Sequence, residues 1–232
     1  MDGVLPLGTR MKGYEGAFDY ALPWRMPMIL RVDGRCFHTL TRKLNRPWDE
    51  KFIDAMLSST IALCNEVEGT RLAYVQSDEI SLLVIDYNKF ASQPWFGKRV
   101  QKMVSIAAAI AATEFSCYEF VTSTAQFDAR VFVLPENEVA NYFVWRQQDA
   151  VRNSIQALAQ SHFSYKSLHG LNQAKLQDKL MLEKGINWND LDPIYKHGIC
   201  VIDNEGWALD YKTPVFTANR EYIENRMAVE ES

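Results

Sequence analysis

The stretch RLAYVQSDEISLLV, residues 71–84, constrains the fold more than any other part of the chain. Two runs rich in β-formers flank Ser-Asp-Glu, the pattern of a hairpin whose strands are joined tightly around Asp78 and Glu79. Strands this apolar are destined for a core, where an unpaired carboxylate costs several kcal/mol in desolvation. Something has to compensate these two acids.

The neighbouring periodicities show where the hairpin sits. MILRVDG (28–34) reads as a strand ending in a turn, and residues 49–67 place Phe52, Met56, Thr60 and Leu63 at helical spacing behind an acidic start. After the hairpin, the spacing of Val100, Met103, Ala107, Ile110 and Phe115 predicts a second helix between 98 and 121. AQFDARVFVLP (125–135) then predicts a fourth strand closed by Pro135. The order β-α-β-β-α-β is the split βαβ pattern of an α+β, ferredoxin-like fold. In its usual arrangement the third strand lies antiparallel beside the first, so Asp33 at the end of strand one meets Asp78 at the start of strand three. Converging carboxylates with no His or Cys beside them suit Mg²⁺ better than zinc. Glu79, next to Asp78 on the same strand, is expected to point to the opposite face and to act through a supporting hydrogen bond.

Composition narrows the class. With 232 residues, 47% of them hydrophobic, the chain is long enough to bury a full core. Its longest apolar run, SIAAAIAA (105–112), is far short of the roughly 20 residues a membrane span needs, and no basic-then-apolar leader opens the sequence. A cytoplasmic location without membrane contact is expected. The cysteines at 36, 64, 117 and 200 form no CxxC pair and read as reduced thiols. A formal charge of −4 makes no case for nucleic-acid binding and leaves only a local basic groove open. We divide the chain into a catalytic domain over residues 1–135 and a helical and C-terminal extension over residues 136–232, packed as one unit.

Four blocks in order, ILRVDGRCFHTLTRKLNRPWDE, YVQSDEISLLV, FDARVFVLP and WRQQDAVRNSIQALAQ, resemble the tRNA-His guanylyltransferase family, specifically its bacterial and archaeal guanylyltransferase-like branch. The resemblance implies a polymerase-type palm that adds nucleotides in the 3′-to-5′ direction to the 5′ end of tRNA, with two Mg²⁺ ions, ATP and GTP or other nucleoside triphosphates, and a homotetramer. Asp33, the Gly34 carbonyl and Asp78 are then the metal ligands, with Glu79 as a further catalytic candidate. The DGRCFH loop, with Gly34, Arg35, Cys36, Phe37 and His38, is similar to the family's triphosphate cradle, and Ser77 and Arg46 also match nucleotide-contacting positions. Arg99 and Lys102 in WFGKRVQK, i and i+3 on the predicted helix, resemble residues for the triphosphate of an activating nucleotide. Arg130 is either an active-site cation or the partner of Asp128.

Beyond residue 136 a long helix carries the RQQDA.RN block, and we assign Arg146, Arg152 and Asn153 to substrate or subunit contacts. Lys166, Lys175 and Lys179 are expected to grip the acceptor stem of tRNA through its phosphates. The branch that adds one untemplated G to tRNA-His carries a HINNLYN block. Here VRNSIQA puts Val151 at the position of its His and keeps only Asn153. Template-dependent 5′-end repair of truncated tRNAs is therefore expected over untemplated guanylyl addition. A nucleotidyl cyclase on the same palm and a non-catalytic RNA-binding module are the alternatives.

Overall fold

The computed structural model describes residues 5–89 and 91–228. Helix α1 (Leu7–Gly16) precedes strand β1 (Met28–Gly34), and a single turn, α2 (Phe37–Leu40), leads to α3 (Glu50–Glu66). The hairpin of β2 (Thr70–Gln76) and β3 (Glu79–Val84) follows, then α4 (Val100–Phe115) and β4 (Phe127–Val133). Helix α5 (Glu136–His162) is succeeded by the short α6 (Tyr165–Leu168), by α7 (Gln173–Lys184) and by α8 (Pro193–His197). A last hairpin, β5 (Ile199–Asp203) and β6 (Trp207–Asp210), completes the sheet.

The strands form one six-stranded sheet in the order β4-β1-β3-β2-β5-β6, every pair antiparallel. Its first four members reproduce the palm-type order expected from the sequence. The β5–β6 hairpin extends the β2 edge and comes from the segment that sequence reasoning treats as an extension.

Strand alternation divides the residues between two layers. Met28, Leu30 and Val32 of β1, with Ile80, Leu82 and Val84 of β3, face the core shared with α3 and α4. Ile29 and Leu83 face the other way, against Val139, Tyr142 and Phe143 of α5. Helix α3 starts sharply because the Asp49 carboxylate accepts hydrogen bonds from the amides of Lys51 and Phe52 at 3.0 and 3.4 Å, satisfying donors the first turn leaves free.

Lys98 is buried although it lies in the most basic run of the chain. Its ammonium donates to the carbonyls of Pro23 and Met26 at 3.0 and 2.9 Å and pairs with Asp86 at 3.1 Å, pinning the segment before β1 against the start of α4. Burial lowers its pKa, with Asp86 opposing the shift.

Gly34 closes β1 under the ring of Phe37. A Cβ built on Gly34 would lie 2.7–2.8 Å from three atoms of that ring. The ring itself is locked between Phe127 and Phe115 at centroid distances of 4.9 and 5.0 Å. We therefore expect Gly34→Ala to destabilise the fold by about 1–3 kcal/mol through overpacking. The double variant Gly34→Ala/Phe37→Leu should recover part of the loss, with thermal melting as the measurement.

Candidate active site

The end of β1 and the β2–β3 turn are tied together by the backbone: the Gly34 amide donates to the Asp78 carbonyl at 2.9 Å. Ser77 and Asp78 form the two-residue turn between the paired Gln76 and Glu79, with Ser77 at φ 51°. Asp33 and Asp78 are thus neighbours. Burial raises the pKa of Asp78, and the nearby charge of Asp33 pushes it further in the same direction.

Glu79 departs from the sequence expectation. Strand β3 begins at Glu79, and Asp78 belongs to the turn, so alternation along a strand does not relate their side chains. The register pairs Asp33 directly with Glu79, which puts both carboxylates on the α5 face of the sheet. There Arg31, two residues before Asp33, bridges them: one guanidinium nitrogen lies 2.8 Å from Asp33 Oδ2 and 2.7 Å from Glu79 Oε2. Burial works against the Arg31 charge, but Glu79 and Asp33 together hold its pKa above the ordinary value.

Arg146 reaches Glu79 from α5. Its Nε lies 2.8 Å from Glu79 Oε1, close but off-angle for a hydrogen bond, so the contact is an ion pair. Arg146, expected at substrate or subunit contacts, is instead only 4% exposed, with its guanidinium engaged by Glu79 and Asp149 of the same chain. An isolated helix pattern hides this, because the compensating acid is on a distant strand. Burial nonetheless raises the pKa of Glu79, against the opposing pull of Arg146 and Arg31. The neighbouring Gln147 is also structural, its side chain bonding the Pro214 carbonyl and the Phe216 amide at 2.9 and 2.7 Å.

Beside the turn opens a cleft of about 430 Å³, walled by α2, the start of α3, α5 and α8. It brings together Phe37, His38, Arg46, Ser77, Asp78 and Asn153 from the predicted set. Sequence reasoning missed its opposite wall, where Trp48 stacks on Tyr195 at 4.6 Å beside Lys196. The only sequence signal for that wall was the aromatic after Arg46-Pro47. In the cradle loop, the amide of Arg35 donates to the Gln126 carbonyl at 2.8 Å and its guanidinium to the Gln126 side chain at 2.9 Å. Gly34 and Arg35 therefore direct their amides into the fold. Cys36, exposed and at φ 57°, turns the chain toward His38. Phe37 contributes its side chain to the core.

The other predicted cations lie outside the cleft. Arg99 precedes α4 with extended backbone and pairs with Asp19 at 3.2 Å, so it does not share a helix face with the exposed Lys102 as the spacing had implied. Left-handed conformations at Phe96, Gly97 and Lys98 delay the helix start. Arg130 pairs with Asp128 at 3.1 Å on the exposed edge strand. Arg152 is held by Asp149, and Lys166 and Lys175 are exposed. Lys179 pairs with Glu183 and lies 4.7 Å over the Phe163 ring.

Among the described residues no group of three or more His, Cys, Asp or Glu side chains converges to hold a metal ion. The donors brought together at the turn are the carboxylates of Asp33 and Asp78, hard oxygen ligands of the kind that suit a Mg²⁺ ion bound largely through water and substrate phosphates. No helix of the described residues is long and apolar enough to cross a membrane.

Comparison with known proteins agrees with this architecture. The solved structure of a bacterial tRNA(His) guanylyltransferase (Thg1)-like protein in complex with ATP superposes with a TM-score of 0.94 at 44% identity, covering 97% of this chain and 100% of that one. A bacterial Thg1-like protein in complex with GTP gives a TM-score of 0.82 at 38% identity, covering 96% and 99%. An uncharacterized protein of Acanthamoeba polyphaga mimivirus is 29% identical over 84% of this chain and 76% of its own length. The probable tRNA(His) guanylyltransferase of Homo sapiens is 29% identical over 75% of this chain, and the match spans 64% of the human protein. The family model described as tRNAHis guanylyltransferase matches residues 8–135, which takes in β1 to β4, both carboxylates and the cradle loop, and the chain belongs to that family.

Proposed function

We propose that this protein is a Mg²⁺-dependent nucleotidyltransferase that extends the 5′ end of tRNA in the 3′-to-5′ direction, copying the opposite strand to repair truncated ends. The observation that carries this reading is the convergence of Asp33 and Asp78 at one end of the sheet, beside a cleft lined by His38, Arg46, Ser77 and Asn153. The bacterial relatives bound to ATP and to GTP support nucleoside triphosphates as its substrates.

In this reading Asp33, Asp78 and the Gly34 carbonyl hold the metal, which when bound would screen phosphate charge and lower the pKa of an attacking hydroxyl. A 5′-monophosphate is first adenylylated by ATP with release of pyrophosphate; the 3′-hydroxyl of an incoming nucleotide then attacks that end and displaces AMP. Arg46 and the loop from Cys36 to His38 hold the triphosphate in the cleft, and Glu79, locked by Arg31 and Arg146, holds Asp33 in place through Arg31. Arg99 and Lys102 serve the activating triphosphate, and Lys166 and Lys175 the RNA backbone. Val151 packs among apolar neighbours and offers no hydrogen bond where the untemplated branch has a His. Base selection then falls on pairing with the template. A homotetramer in the cytoplasm fits the family resemblance.

Incubating 5′-truncated tRNAs with ATP, Mg²⁺ and each nucleotide, then sequencing the products, tests the whole reading. The added base should follow the opposite strand; G added opposite A as readily as opposite C would refute templated repair. Asp33→Ala and Asp78→Ala should each lower both activation and addition at least about 10³-fold while leaving the protein folded. Near-normal addition by either variant would remove that residue from the catalytic pair.

The raised pKa of Asp78 carries its own pH signature. A carboxyl whose folded pKa lies above its unfolded value of about 3.9 favours folding when protonated, and that contribution is lost as pH rises through the folded pKa. Asn mimics the protonated form at every pH. Without divalent ions, Asp78→Asn should melt above the wild type at pH 7, and the gap should close below about pH 4. A gap that stays constant across this range would show that Asp78 is not strained by burial and by Asp33.

A further inference from the structure

A second cavity, of about 400 Å³, opens between α5 and the α6–α7 segment. From α5 it receives Arg152, Gln156 and Gln160, spaced four residues apart and so on one face. From the facing segment it receives Tyr165 and His169. Their rings are tilted, 6.2 Å apart at 49°, and both residues are exposed, Tyr165 by 77%, so aromatic faces are left open to solvent. Gln160 lines both this cavity and the nucleotide cleft, so the two are adjacent.

The lining selects a class of ligand. Open aromatic rings accept a stacked base of any identity, and primary amides match the donor and acceptor edges of an unpaired base. Arg152 shares Asp149 with Arg146 and is the outward member of that pair, half-exposed, with a guanidinium face left for a phosphate. A cavity of this volume suits a small-molecule-sized group, such as one nucleotide, and excludes a duplex.

Geometry supplies the source of that nucleotide, given templated addition as proposed above. A 5′ end extended against a template is recessed, so the opposite strand must run past it as unpaired nucleotides. We infer that the second cavity holds an unpaired nucleotide of the template strand just beyond the base pair being formed in the cleft, stacked on Tyr165 and His169 with its phosphate toward Arg152.

Two acceptor-stem hairpins test this, one with a recessed 5′ end and a 3′ overhang, one blunt, each titrated against the intact protein in fixed salt. A 2-aminopurine at the overhanging position reports stacking by its fluorescence. The wild type should bind the overhanging RNA about tenfold more tightly than the blunt one, the equivalent of one stacked base, and quench the 2-aminopurine. Tyr165→Ala/His169→Ala should erase both effects while binding the blunt hairpin as the wild type does. An overhang advantage that survives in the double variant, or an equal loss on both RNAs, would overturn the cavity's role. Extension of the recessed hairpin without any overhang advantage would overturn it alone, leaving the templated reaction in place. Failure to bind or extend either RNA would overturn the reaction and the cavity together.

Discussion

The pairing of β1 with β3, in the register that sets Asp33 opposite Glu79, governs everything else in this protein. Because side chains alternate across a strand, that register sends Val32 and Ile80 into the core under α3 and α4 and sends Arg31, Asp33, Glu79 and Ser81 toward α5. A slip of one residue would bury Asp33 among phenylalanines and expose Val32. The large apolar interface on the α3–α4 side therefore fixes the position of the polar row on the other. The Gly34–Asp78 backbone hydrogen bond adds the final constraint, carrying the turn acid to the end of the row.

The row answers the charge problem posed by the hairpin, and it answers it differently for its two acids. Glu79 is buried yet has two guanidinium groups against it, from Arg31 and Arg146, and its neighbour Ser81 bonds Tyr142 Oη at 2.8 Å. Removing one partner from such a cluster leaves an uncompensated buried charge, the costly case for ion pairs. That is why Glu79 is a component of the framework that positions Asp33. Asp78 has no such partner at the turn, where the principal charge acting on it is the carboxylate of Asp33.

The sequence made the local periodicities legible, and with them β1, α3, the central hairpin, α4, β4 and the approach of Asp33 to Asp78. These features depend on apolar spacing within one element and on a fold order with few solutions. Features set by contacts between distant segments were hidden. The face of Glu79 could not be read from Asp78, because the boundary between turn and strand falls between residues 78 and 79 and strand alternation does not extend across it. Arg146 was read as a contact residue because its acid, Glu79, comes from another element, and the burial of Lys98 was hidden because Asp86 lies outside the helix pattern. The Trp48–Tyr195 wall of the cleft likewise joins residues from opposite ends of the chain.

The same contacts link the two cavities electrostatically. Asp33, Arg31, Glu79, Arg146, Asp149 and Arg152 form an unbroken run of ion pairs from the end of β1 to the wall of the second cavity. Carboxylates and guanidiniums alternate along it in equal number, so the run is neutral as a whole and each inner member is shared by two partners. Asp78 stands beside this neutral run and adds one negative charge, on which the repulsion of Asp33 outweighs the attraction of Arg31. One partly buried carboxylate left beside a second favours a cation over a further anion at this end of the sheet. The excess at Asp78 thus falls where the ion-pair run meets the cleft, since Asp78 lies beside Asp33 and also lines that cleft.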